Sequence, residues 1–178
     1  MKLIINADDF GLTNGVTYGI YDAIKYGIVT STTMMVNTSG SELAARLLKN
    51  DAELKVGLHL NLSLGKPLTA CKSLVDENGC FIKPKILKND GRYIEQEIYS
   101  EFVAQHEKFI ALTGKEPTHI DSHLYLHQIF PKAERQSIRL SEKLGVPLRQ
   151  FETKLFKGAY FESRFKQKES EGLTELKK

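Results

Sequence analysis

An α/β fold built on a mainly parallel sheet is what this sequence predicts, and three observations carry that expectation. Short apolar, β-branched runs alternate with segments of helical periodicity along most of the chain. One run, 54–62, alternates cleanly: Leu54, Val56, Leu58, Leu60 and Leu62 fall on one face, and Lys55, Gly57, His59 and Asn61 on the other. Three segments place Asp and His residues where such a run gives out: Asn6-Ala7-Asp8-Asp9-Phe10-Gly11, Gly57-Leu58-His59-Leu60-Asn61 and His119-Ile120-Asp121-Ser122-His123. Parallel strands share one carboxyl-end rim, so residues distant in sequence would meet there.

The elements follow in order. Residues 2–7 read as a buried strand because Leu3, Ile4 and Ile5 form a continuous apolar run. After an Asp-Asp-Phe-Gly turn, Thr13 or Asn14 caps a helix that turns Val16, Ile20, Ala23 and Ile24 inward, and Gly27 stops it. Residues 30–36 are β-branched and strand-like, and 41–48 form a helix with Leu43, Leu47 and Leu48 on one stripe. The stretch 64–90 is irregular, with an Asn78-Gly79 hairpin signal between Leu74-Val75 and Phe81-Ile82. So long an excursion is often a lid or rim loop. A long amphipathic helix spans 93–112, with Ile94, Ile98, Phe102, Val103, Phe109 and Ile110 facing in. A short strand at 118–122, a helix at 131–144 and a strand start at Gly145-Val146-Pro147-Leu148 complete the pattern. Open doubly wound sheets and barrels both fit. A complete eight-fold barrel usually needs about 250 residues, and 178 look short for one. The segment 164–178 is highly charged and offers no terminal strand. The expectation is therefore one domain over 1–178, ending in a charged, poorly ordered tail.

Bulk properties exclude several classes. Hydrophobic content of 41% and charged content of 26% are those of an ordinary globular domain. A net charge of +3 spread along the chain argues against nucleic acid or an anionic membrane as partner. No run has the length of a transmembrane helix or a signal peptide. Cys71 and Cys80 flank the Asn78-Gly79 hairpin and are read as free thiols of a cytoplasmic protein.

The chemistry lies in the acids and histidines. Asp8 and Asp9 are adjacent, so on an extended backbone they diverge to opposite faces, one binding a metal while the other addresses water. Alone, Asp-Asp is more often a helix-capping turn. A lone strand histidine such as His59 is more often structural. Company changes that: His119, Asp121 and His123 share one face by the period of two, and three ionisable groups on a buried strand must be paired or coordinate something. His119 lies deeper and reads as structural, and Asp121 is placed to orient a ligand histidine through its other ring nitrogen. His127 and Asn61 read as nearby polar groups, supporting the site or touching substrate, and His106 as a core-edge histidine. An Asp-His-His set suits Zn²⁺, Mn²⁺ or Co²⁺ and leaves positions open for water and substrate.

These segments, with Gly27-Ile28-Val29-Thr30-Ser31-Thr32-Thr33, Gly65-Lys66-Pro67-Leu68 and Pro117-Thr118 before His119, occur in an order that resembles the YdjC family over residues 2–149. That family includes the bacterial chitooligosaccharide deacetylases. The resemblance implies a distorted TIM-like (β/α) barrel, often dimeric, that removes acetyl groups from N-acetylated sugars or oligosaccharides. It assigns one divalent ion, Mg²⁺ in the family, to Asp9, His59 and His123, and the catalytic base to Asp8. Two departures stand out. Family members often read Asp-Ser-His-His-His-Val-His where this chain has Asp121-Ser122-His123-Leu124-Tyr125-Leu126-His127. Their later His-Pro-Gly segment, whose histidine serves as general acid, has no counterpart after Arg149. The expected barrel is therefore incomplete at its C-terminus. The function expected is metal-dependent deacetylation with an Asp base. The alternatives are a catalytically impaired metal- and glycan-binding protein and, more remotely, a metal phosphoesterase.

Overall fold

A computed structural model describes residues 3–83 and 90–150. The expected tail at 164–178 lies outside the described residues. Strands β1 (Asn6–Phe10), β2 (Ser31–Met34), β3 (Val56–Leu60) and β4 (Ile120–Ser122) form one parallel sheet in sequential order. Helices α1 (Asn14–Lys25), α2 (Ser41–Asn50) and α3 (Glu95–Thr113) connect them, and α4 (Leu126–Ile129) and α5 (Pro131–Leu144) follow. After α5, Leu148 bridges to Ile120 in parallel, so the segment expected as a strand contributes one bridge among the described residues. Among the described residues the sheet is not closed, as in the wall of a distorted TIM-like barrel.

Local chemistry sets these boundaries. Thr13 starts α1 by accepting the Val16 N–H at 3.2 Å. Left-handed glycines at 114 and 145 end α3 and α5, and Pro131 opens α5 where its missing N–H is no loss. The core joins Phe10, Met34, Leu58, Leu60 and Ile120 from the sheet to Ala44, Leu48, Phe102, Phe109 and Leu140 from the helices. Every β3 residue is buried, the mark of a parallel strand covered on both sides. The Asn78-Gly79 hairpin forms: Val75 bridges Phe81 antiparallel, and Gly79 has a φ of 71°. Cys71 and Cys80 are free. No helix among the described residues is long and apolar enough to cross a membrane.

Four expectations need correction. The first strand begins at Asn6, and Leu3 and Ile4 are 69% and 56% exposed. Among the described residues β1 has a neighbour on one side only, so no second strand there covers its apolar lead-in. Asp8 and Asp9 lie inside β1 rather than in a turn after it. Ile94 is exposed because it sits at the N-cap of α3 instead of on its buried face. A 3₁₀ turn (His123–Tyr125) and α4 occupy a stretch that carried no helix signal.

The loop after β3 is pinned from α3. Gln105 and Asn61 exchange backbone-directed bonds, Nε2 to the Asn61 carbonyl at 2.7 Å and the Asn61 N–H to Oε1 at 2.9 Å. One turn earlier, buried Glu101 accepts from Leu68 N–H, Thr69 N–H, Thr69 Oγ1 and Gln105 Nε2, at 2.7–3.0 Å. Glu101→Ala would strand those donors. Urea unfolding should show a loss of about 2–4 kcal/mol, and a loss under about 0.5 kcal/mol would remove this pinning role.

Candidate metal centre

Sheet register brings the first pair together: His59 on β3 is the direct partner of Asp121 on β4. His59 Nδ1 donates to Asp121 Oδ1 at 2.6 Å, between two side chains that are both buried. Thr33 on β2 donates through Oγ1 to Asp121 Oδ2 at 3.1 Å and lies equally close to His59 Nδ1. With Nδ1 so occupied, Nε2 of His59 points at Asp9 Oδ1, 3.0 Å away. His123, just past β4, donates from Nδ1 to the same oxygen at 2.8 Å. One ligand atom each from Asp9, His59 and His123 thus lies within 4.8 Å of the others.

Strand β1 supplies its acids through an irregularity. Its register with β2 shifts between Ala7 and Phe10, and Asp9 has a φ of 73°. That bulge breaks strict alternation, so Asp8 and Asp9 do not diverge to opposite faces as an extended backbone would require. Asp9 reaches the histidines, while Asp8 Oδ1 accepts from Asn6 Nδ2 at 2.8 Å and from an Arg149 guanidinium nitrogen at 2.7 Å. The same Arg149 nitrogen donates to Asp121 Oδ2 at 3.2 Å, joining the two carboxylate groups.

Sequence reasoning missed Arg149 and Thr33. The signal for Arg149 was available: it follows Gly145-Val146-Pro147-Leu148 at the position where each earlier strand delivers its polar residue to the rim. Thr33 lay in a β-branched run that gave no reason to single it out.

The electrostatics reflect crowded acids. Burial works against an ionised Asp9, but hydrogen bonds from His123 and His59 hold its pKa well below the usual carboxylate range. Burial would likewise lower His59, yet the charge and hydrogen bond of Asp121, with Asp9 behind them, push it up to about 10. Asp121 is held low against its own burial by His59, and Arg149 is raised by Asp8 and Asp121. This set of acids calls for a positive partner at His59, and a proton or a divalent cation answers that need. The donor set fits a cation: one carboxylate oxygen, two imidazole nitrogens, and an outer nitrogen on His59 already fixed by a carboxylate.

The remaining expected residues stand behind this group. His127 is fully buried, paired through Nδ1 with Ser122 Oγ at 2.6 Å and through Nε2 with the Arg149 carbonyl at 3.0 Å. Burial pulls its pKa down to about 4. It braces the end of β4 and the segment bearing Arg149. Asn61 spends its side chain on its own loop, binding Leu64 and Ser63 backbone groups and Asn37 Oδ1. His119 packs over Gly57, where a Cβ would lie 2.7 Å from its ring. His106 pairs with Glu116 at 2.8 Å.

Comparison with known proteins gives a consistent picture. A family model described as YdjC-like protein matches residues 2–177. Carbohydrate deacetylase 2 of Listeria innocua serovar 6a is 48% identical over 161 residues, which is 90% of this chain and 65% of that protein. Chitooligosaccharide deacetylase of Yersinia enterocolitica serotype O:8 is 44% identical over 151 residues, covering 83% of this chain and 58% of that protein. The chain therefore spans about three-fifths of the length of these two relatives. Among solved structures, an Enterococcus faecalis V583 protein to which cellobiose-phosphate cleavage has been ascribed superposes with a TM-score of 0.76 at 39% identity. That match covers 82% of this chain and 57% of the other.

Proposed function

The chain belongs to the YdjC-like protein family, and on that premise we propose that it is a metal-dependent hydrolase removing acetyl groups from N-acetylated sugars or oligosaccharides. The observation that supports this reading most is the meeting of Asp9, His59 and His123 beside a second, separately held carboxylate, Asp8. The names of the relatives, carbohydrate deacetylase and chitooligosaccharide deacetylase, support the substrate class. Free thiols at Cys71 and Cys80 suit a reducing cytoplasm.

Asp9, His59 and His123 are the residues that would hold the ion, and their mixed donors suit Zn²⁺, Mn²⁺ or Co²⁺, with Mg²⁺ the ion the resemblance implies. Such an ion supplies Lewis acidity to a carbonyl oxygen and makes water more acidic. Asp121 fixes the ring and the tautomer of His59. Asp8 is the general base. It takes a proton from water as the water oxygen bonds to the acetamide carbon; the C–N bond then breaks as the sugar nitrogen takes up the proton that Asp8 holds, and the acetic acid released ionises in water. Arg149 and Asn6 hold the Asp8 carboxylate at one orientation for that transfer.

Metal-loaded chain incubated with N,N′-diacetylchitobiose should release acetate and expose a free amine. Chelation should stop it, and acetate release that survives chelation overturns the mechanism. Binding of the disaccharide with no release would select the glycan-binding alternative. Arg149→Met is expected to lower kcat by about 10–100-fold with KM and metal content little changed, and Arg149→Lys to recover part of the loss. A kcat equal to the parent's would remove Arg149 from positioning Asp8.

A further inference from the structure

Two consecutive residues beside the candidate metal centre hold a backbone that side chains rarely adopt. Leu124 has φ 55° and ψ 26°, and Tyr125 has φ 55° and ψ 30°. The left-handed region favours glycine and tolerates asparagine, so a branched residue and an aromatic one in series are unusual. Their flanks are fixed on both sides. His123 before them bonds Asp9, and Leu126 and His127 after them are fully buried. The fold thus dictates the conformation, and glycine at each position would meet it without strain.

Burial does not explain the choice of leucine, because Leu124 remains 50% exposed. Leu64, on the loop after the neighbouring strand β3, is another large apolar residue left 40% exposed at this rim. Strained residues that the surrounding structure over-determines cluster where a ligand is engaged. An exposed leucine and a tyrosine one and two residues from His123 offer what the apolar C–H face of a pyranose ring packs against, an aliphatic and an aromatic surface.

We propose that Leu124 and Tyr125 form the sugar-ring contact of the site and set its preference among N-acetylated carbohydrates. This rests on the deacetylase reading for the identity of the ligand and goes beyond it in naming what holds the ring.

The test separates strain from contact. Leu124→Gly and Tyr125→Gly should each raise Tm by about 2–4 °C by relieving the backbone. Metal content should match the parent's. Titration with N,N′-diacetylchitobiose should show affinity about tenfold weaker, and turnover should show KM raised with kcat near the parent's. Leu124→Met, which restores an apolar side chain, should bind within about twofold of the parent. Glycine variants that bind the disaccharide as tightly as the parent overturn the proposal. Glycine variants that lose metal and melt earlier also overturn it, because the pair would then be bracing His123. A parent that binds the disaccharide but releases no acetate sinks the deacetylase reading while the contact can still be measured by binding; a parent that does not bind it overturns both.

Discussion

His59→Ala is expected to abolish divalent-ion binding and acetate release together. His59 faces Asp121 through one ring nitrogen and Asp9 through the other, so its loss removes a ligand and takes from both carboxylates the imidazole that stands between them. Acetate release should fall by about a thousandfold or more, in line with the several kcal/mol a metal ion contributes to such chemistry. Stability should fall as well, by about 3–5 kcal/mol, since a buried ion pair is broken from one side. His59→Gln separates the two effects: its amide can still donate toward Asp121, yet it cannot restore the imidazole ligand. Isothermal titration with Zn²⁺ and Mn²⁺, beside a thermal melt, reads both. Metal affinity unchanged in a folded His59→Gln chain would end the proposed ligand set.

Asp8→Asn should act differently. The substitution keeps size and leaves an oxygen for Arg149 and Asn6 to hold, so folding and metal content should stay at the parent's level. The lost basicity should lower kcat by about 10²–10⁴-fold, the usual contribution of a general base. A kcat within about twofold of the parent's would transfer the base to another group. The contrast between the two variants, one without metal and one with metal but slow, is the signature expected of separate ligand and base.

Much of this arrangement was legible because parallel strands deliver their ends to a common rim. Alternation put His59 and Asp121 on the polar faces of their strands, their company with other acids and histidines marked them as a site, and register makes them neighbours. The helix Pro131–Leu144 matched its expected limits because Pro131 and Gly145 mark both ends chemically. What escaped was set by long-range contacts. The exposure of Leu3 and Ile4 depends on which strands flank β1, and an apolar run carries no such information. The 3₁₀ turn at His123 arises from left-handed residues imposed by their surroundings, against the preferences of leucine and tyrosine. The strand-end position of Arg149 marked it as a rim residue, but its partners, Asp8 and Asp121, come from distant parts of the chain and are set by the fold.

The irregularity in β1 makes the acid pair a single length-locked cassette. A regular strand would need a neighbour to supply the second carboxylate, whereas here one extra residue supplies both from a single dipeptide. Gaining one codon between positions 7 and 10 would turn one acid toward the opposite face with both kept, and losing one would delete an acid outright. Point substitutions can thus tune the two groups separately, whereas a change of length breaks the pair.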